Sequence, residues 1–121
     1  MENQASGSLL MSKDGVVTVV ELIDKKILDE ACIMRISEQL LALVAQEVDP
    51  RVVVDFTNVG HMSSSALGML ITLHKRIREK KGVLRLCNIA PSIFEVFKIT
   101  RLNEIFGIKD SRDKAIKEAS A

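Results

Sequence analysis

Val52-Val53-Val54-Asp55-Phe56, followed after a short turn by His61-Met62-Ser63-Ser64-Ser65-Ala66-Leu67-Gly68, is the stretch on which the fold turns. Its first half is a β-branched apolar run ending on a carboxylate, the pattern of a buried strand. Its second half places three hydroxyl side chains directly ahead of an apolar helical repeat, the pattern of a helix start. A helix N-terminus presents unpaired amides and the positive end of the helix dipole, so a serine there is either a cap or a place to hold a phosphate. Only one or two hydroxyls can cap, which leaves a third free for chemistry.

Working outward, Leu9-Leu10-Met11 and Val16 to Leu22, separated by a Lys13-Asp14-Gly15 turn, predict a hairpin whose second strand is buried on both faces. From Asp29 onward Ile33, Ile36, Leu40, Leu43 and Val44 recur at helical spacing until Asp49-Pro50 interrupts them, and Arg51 to Phe56 is the next strand. Leu67, Leu70, Ile71, His74 and Ile77 mark the apolar stripe of the helix that follows, which ends in Lys80-Lys81-Gly82 with Gly82 as its C-terminal cap. Val83 to Cys87 reads as a strand, and Pro91 opens a short helix carrying Ile93, Phe94 and Phe97. Ile105 to Ile108 reads as a last short strand, and Ser111 to Ala119 as a polar helix. This alternation implies one α/β domain over residues 1–121, with a mixed sheet of four to five strands, helices packed mainly on one face, and a flexible polar lead over residues 1–7.

Composition narrows the function. With 17 Lys and Arg against 16 Asp and Glu there is no broad field to draw in nucleic acid or an anionic membrane. The absence of Trp and Tyr removes the usual platforms for stacking bases. Apolar runs such as Val16 to Val20 and Leu40 to Ala45 are too short to span a bilayer, and the first residues lack the basic start and apolar stretch of a secretory signal. A cytoplasmic location is the expectation. Cys32 and Cys87 are too far apart for a metal knuckle or redox pair and read as core residues. No phosphate-cradling Gly-rich loop, dinucleotide fingerprint or zinc-protease helix is present, so neither a metal nor another cofactor is expected, nor catalysis. Gly60-His61-Met62-Ser63 falls short of a hydrolase nucleophile elbow, and only two histidines are available as bases. His61 reads as a residue that orients the turn, and His74 as a half-buried side chain with one hydrogen bond. Lys75, Arg76, Arg78, Lys80, Lys81 and Arg85 cluster around the end of the second helix. They suit the negative end of its dipole, or else form a patch for phosphate or a partner.

Five segments, namely Val20-Glu21-Leu22-Ile23-Asp24, the Val52–Phe56 strand, Met62 to Gly68, Gly82 to Cys87 and Val96 to Leu102, resemble in order and spacing the STAS domain of bacterial anti-sigma factor antagonists, across nearly the whole chain. That family commonly has Asp-Ser-Ser or Asp-Ser-Thr before Gly-Leu-Gly at the junction, and the first hydroxyl after the aspartate accepts phosphate from a kinase that is also an anti-sigma factor. Carried over by position, the acceptor is Ser64. Ser63 stands where the family has aspartate, which makes it a competing acceptor, and Ala66 replaces a glycine. The resemblance implies a partner-binding surface of Asp24, Asp55, Ser63, Ser65, Leu67 and Gly68, with Leu67 anchoring the helix and Gly68 allowing close packing. It further implies partner switching between a serine kinase anti-sigma factor and its sigma factor, reset by a serine phosphatase, with no direct nucleic-acid contact. The alternatives are a STAS module that is never phosphorylated and binds a small ligand, in a pocket under Ile93, Phe94 and Phe97, or one that scaffolds a signalling complex.

Overall fold

The computed structural model describes residues 9–121, so the flexible lead expected over residues 1–7 lies outside the described residues. Strands β1 (Leu9–Asp14) and β2 (Val17–Leu22) form the expected hairpin. Gly15 takes the first position of its two-residue loop at φ +62°, where a left-handed residue lets the turn follow the strand twist. Val16 belongs to this turn rather than to the strand, and it is 60 % exposed. The short strand β3 (Lys26–Ile27) precedes helix α1 (Glu30–Gln46), which begins where the Asp29 carboxylate accepts a hydrogen bond from the Cys32 amide at 2.8 Å. Then come β4 (Arg51–Asp55), the short β5 (His61–Met62) and helix α2 (Ser64–Glu79). They are followed by β6 (Val83–Cys87), α3 (Pro91–Ile99), β7 (Gly107–Lys109) and α4 (Arg112–Ser120).

The main sheet has the order β1-β2-β4-β6-β7, antiparallel between β1 and β2 and parallel elsewhere, while β3 and β5 make a separate parallel pair. Side chains alternate across a strand, and this sorts the core into two layers. Val20, Leu22, Val52, Val54 and Leu86 pack with Ile36 and Leu40 of α1, Leu70 and Leu73 of α2 and Phe97 of α3. Val17, Val19, Val53 and Cys87 face the other way and pack with Ala115 and Ala119 of α4, both fully buried. Three helices therefore share one face, as the sequence suggests, and α4 covers the opposite one with an alanine stripe inside an otherwise polar helix. Both cysteines are free thiols in the core.

Two segments differ from their sequence reading. At the end of α2, Lys81 rather than Gly82 takes the left-handed conformation, at φ +59°. The Gly82 and Lys81 amides donate to the Ile77 and Arg78 carbonyls, both at 2.9 Å, which closes the helix. Gly82 is needed for space, since a Cβ there would lie 2.1 Å from the Pro50 carbonyl oxygen. In the stretch Ile105 to Ile108, a 3-10 turn over Leu102–Glu104 draws the Ile105 and Phe106 amides back to the Leu102 carbonyl, both at 3.0 Å. Those amides are thereby lost to a ladder, and the strand begins only at Gly107.

Candidate functional site

The serine junction is held from below by backbone. Phe56 and Val59 bury their side chains under the turn after β4. The Lys25 carbonyl accepts from the Gly60 and His61 amides at 2.8 and 3.2 Å, and the Ile27 carbonyl accepts from the Ser63 amide at 3.1 Å. The β3–β5 pair thus fixes the chain just before α2, and His61 takes part in it through its main chain alone. Two-residue strands carry no periodic signal, so this clamp was invisible in the sequence.

Ser63 is the N-cap, extended at φ −89° and ψ 170°, and its hydroxyl accepts from the Ala66 amide at 3.3 Å. Ser64 and Ser65 occupy the first two helical positions and are exposed. Their amides are among those that helix geometry leaves without an intrahelical acceptor, so a hydroxyl at Ser64 stands in a field that favours added negative charge. Leu67 is buried at 8 % exposure and anchors the first turn of α2. Gly68 does not serve close packing, because it is exposed and a Cβ there would meet nothing within 4 Å. Its smallness keeps the outer surface of α2 flat.

At the start of α2 lies a cleft of about 270 Å³, lined by Leu28, His61, Met62, Leu67, Ser92 and Ile93 among others. Leu28 and Val96 are 49 % and 42 % exposed, an apolar rim that the fold itself does not need to show. Of the three residues expected under a pocket, only Ile93 lines this cleft. Phe97 is fully buried core, and Phe94 faces a separate hollow with Asn88 and Ile108. Leu28 and Met62 were missed, since each is a single apolar residue outside any regular repeat.

The two acidic residues part company. Asp24 immediately precedes Lys25, whose carbonyl holds the junction, and its carboxylate accepts from the Cys32 thiol at 3.1 Å, so it belongs to the same loop cluster as the serines. Asp55 does not. Alternation puts it with Val53 on the α4 face, opposite α2, and it is 2 % exposed. Its carboxylate accepts from the Thr57 amide and hydroxyl at 2.9 and 2.6 Å, from Asn88 at 3.1 Å and from the Arg112 guanidinium at 2.8 Å. Burial on its own would raise the Asp55 pKa, but these donors together outweigh it and hold the group below the ordinary carboxylate value. The Asp55 carboxylate is thus engaged by Thr57, Asn88 and Arg112 on the face opposite α2. His74 is half-buried and stands edge-on to Phe106 at 5.5 Å, a ring contact in place of the expected hydrogen bond. Among the described residues, no cluster of His, Cys, Asp and Glu is placed to hold a metal ion, and no helix is long and apolar enough to cross a membrane.

The model of the STAS domain family matches residues 12–115. The chain belongs to the STAS domain family. Among relatives of this STAS domain, BtrV of Bordetella bronchiseptica, provisionally named an anti-sigma factor antagonist, is 37 % identical over 82 residues, 65 % of this chain and 71 % of that protein. The anti-sigma-B factor antagonist of Bacillus subtilis is 31 % identical over 71 residues, 59 % of this chain and 63 % of its own length. An anti-sigma-factor antagonist domain protein from Planctomyces limnophilus superposes with a TM-score of 0.86 at 23 % identity, covering 93 % of this chain and 98 % of the other. The Bacillus cell fate determinant SpoIIAA, solved in its phosphorylated form, gives 0.70 at 16 % identity, covering 92 % and 98 %. These likenesses establish the fold of the STAS domain, a five-stranded mixed sheet with four helices.

Proposed function

We propose that this STAS domain is an anti-sigma factor antagonist that works by partner switching. Unmodified, it binds a serine kinase anti-sigma factor, which then releases its sigma factor; phosphorylated on Ser64, it lets go; a serine phosphatase restores it. The observation that carries this reading is the division of labour at the start of α2, where Ser63 is spent on the cap while Ser64 is exposed at the same helix end. The naming of its relatives and the phosphorylated form of SpoIIAA support it.

The chain is a competitor and phosphoryl acceptor rather than a catalyst. Ser64 Oγ attacks the γ-phosphorus of ATP held by the kinase, an O–P bond forms, the bond to the ADP oxygen breaks, and the hydroxyl proton passes to a base of the kinase. The product carries about −1.5 to −2 charges in the middle of the contact surface. A penalty of about 3 kcal/mol there lowers affinity more than a hundredfold, enough for a switch without a change of shape. The role is exercised in the cytoplasm and involves no direct contact with nucleic acid.

The test is phosphorylation by the cognate kinase, read by peptide mass spectrometry on wild type, Ser64→Ala and Ser63→Ala. Ser64→Ala should fold and bind the kinase but take no phosphate. Ser63→Ala should still be phosphorylated, while losing about 1 kcal/mol of stability with its cap. Phosphate on the Ser64→Ala protein at the wild-type level would move the acceptor elsewhere.

A further inference from the structure

The basic cluster at the C-terminal end of α2 is not explained by the switch. Two of its members are absorbed by the fold. Lys80 donates to the Val44, Ala45 and Glu47 carbonyls at 2.8, 2.9 and 2.8 Å and so closes the end of α1, and Arg85 pairs with Glu118. Lys75, Arg76, Arg78 and Lys81 are exposed and, like Lys26 and Lys117, form no ion pair among the described residues; what sets them apart is that four such cations lie within seven residues of one helix end. The helix dipole rewards charge only in its last turn, which holds Arg76 and Arg78. Lys75 lies ahead of that turn, where the dipole gives it little, and stands three residues from the like charge of Arg78 and four from Glu79.

Between these cations the surface is apolar and shallowly hollowed. Ile71, His74 and Ile105 line a hollow of about 590 Å³ whose rim carries Lys75, Arg78 and a single carboxylate, Glu79. Ile105 is 49 % exposed. Burial, and then the neighbouring Arg78, keep His74 below the ordinary imidazole pKa, so its ring adds apolar wall rather than charge at neutral pH. An apolar floor under an unpaired cationic rim complements a segment with apolar side chains on one face and carboxylates flanking them. We propose that the hollow formed by Ile71, His74, Lys75, Arg78 and Ile105 docks an acidic amphipathic helix of a partner protein.

A membrane fits less well, because the chain carries a net charge of only +1. Along the helix axis, at ~1.5 Å per residue, the hollow runs from about 10 Å (Ile71) to about 21 Å (Arg78) from Ser64. A segment seated over Lys75 and Arg78 therefore leaves the Ser64 end of α2 uncovered. The surface is a second contact, apart from the serine junction.

The experiment is fluorescence anisotropy of the full chain with a labelled Leu/Glu peptide, leucines at helical i, i+3, i+4, i+7 spacing, against a scrambled peptide of the same composition. The patterned peptide should bind at low salt and weaken as salt rises. Affinity should drop at least tenfold in Lys75→Glu/Arg78→Glu, at least threefold in Ile105→Ser, and at least tenfold for the scrambled peptide. All three side chains are outside the core, and Lys75→Gln/Arg78→Gln serves as a charge-neutral second variant, with melting curves as the control for folding. Equal binding by wild type and both double variants overturns the proposal, as do equal binding of the two peptides or none at low salt. Charge-sensitive binding to phosphatidylserine vesicles, or self-association in sedimentation, with the peptide unbound, also overturns it and gives the face to a lipid surface or a second copy.

Discussion

A buried carboxylate is costly unless its oxygens are fully engaged, and Asp55 meets that condition with four donors drawn from Thr57, Asn88 and Arg112. Asn88 holds its place at φ +57°, a conformation asparagine tolerates better than most residues, and Arg112 ties the carboxylate to Glu21 as well, at 3.0 Å. Because the folded Asp55 pKa lies below its reference value of 3.8, its contribution to stability is complete above that value and drains away as pH falls through the lower folded one. Asp55→Asn should cost about 2–4 kcal/mol at neutral pH, since it leaves Arg112 short of a partner. Its stability should also fall less steeply than that of wild type between roughly pH 5 and 2. Urea titrations across that range check this; parallel curves would mean that Asp55 is not the group that titrates. The same neighbourhood silences Cys87, whose thiol is pushed up to about 12 chiefly by burial and then by the Asp55 charge, so it should stay unreactive in the folded protein. The sequence shows a carboxylate at the end of a strand but not the arginine 57 residues away that claims it, which is why Asp55 reads as a surface residue until the sheet is assembled.

At the scale of elements, the close of α2 separates two properties of glycine that are easily confused. The left-handed position belongs to Lys81, where a side chain is strained, and the crowded one belongs to Gly82, where a Cβ would press on the Pro50 carbonyl. Lys81→Gly should therefore stabilise the domain by about 0.5–1 kcal/mol. Gly82→Ala should destabilise it by about 1–3 kcal/mol or more, because the obstacle is backbone and cannot swing aside. Thermal melts of the two variants should move in opposite directions; a loss of stability in Lys81→Gly would show that its side chain, not its φ, matters there. Lys-Lys-Gly announces a helix end in sequence, but which residue adopts which conformation depends on β4 lying alongside. The same limit runs through the fold. α1, α2, β2, β4 and β6 were legible because each carries a long apolar period. The β3–β5 clamp and the 3-10 turn at Leu102 were not, since two or three residues hold no period and their hydrogen bonds join distant segments. The alanine stripe of α4 was hidden for another reason, as alanine is equally at home on an exposed helix face.

Across the whole molecule, the two faces of the sheet are closed in different ways, and this bears on how a switch can operate. On one side α4 is fastened by small residues and by ion pairs that run from Arg112 to Glu21 and Asp55 and from Glu118 to Arg85 and Lys109. On the other, α2 is rooted in the main core through Leu70, Leu73 and Ile77, while its first turn is fixed by the Ser63 cap and the β3–β5 pair. Ser64 sits at the exposed end of this rigid element, so phosphate added there meets free amides and solvent and displaces no packed side chain. The phosphate's interaction with the helix end is worth about 0.3–1 kcal/mol in favour of the fold, which for a chain of this size is an upward shift of at most ~4 °C in melting temperature. The expected outcome is a phosphorylated domain that melts at or slightly above the unmodified one and retains its amide exchange protection, yet binds the kinase more than a hundredfold less tightly. Calorimetry of the two forms, paired with titration of the kinase into each, measures both halves. A fall in melting temperature of more than about 8 °C on phosphorylation would require release to act through local unfolding of α2, and the rigid-surface account of the switch would have to be given up.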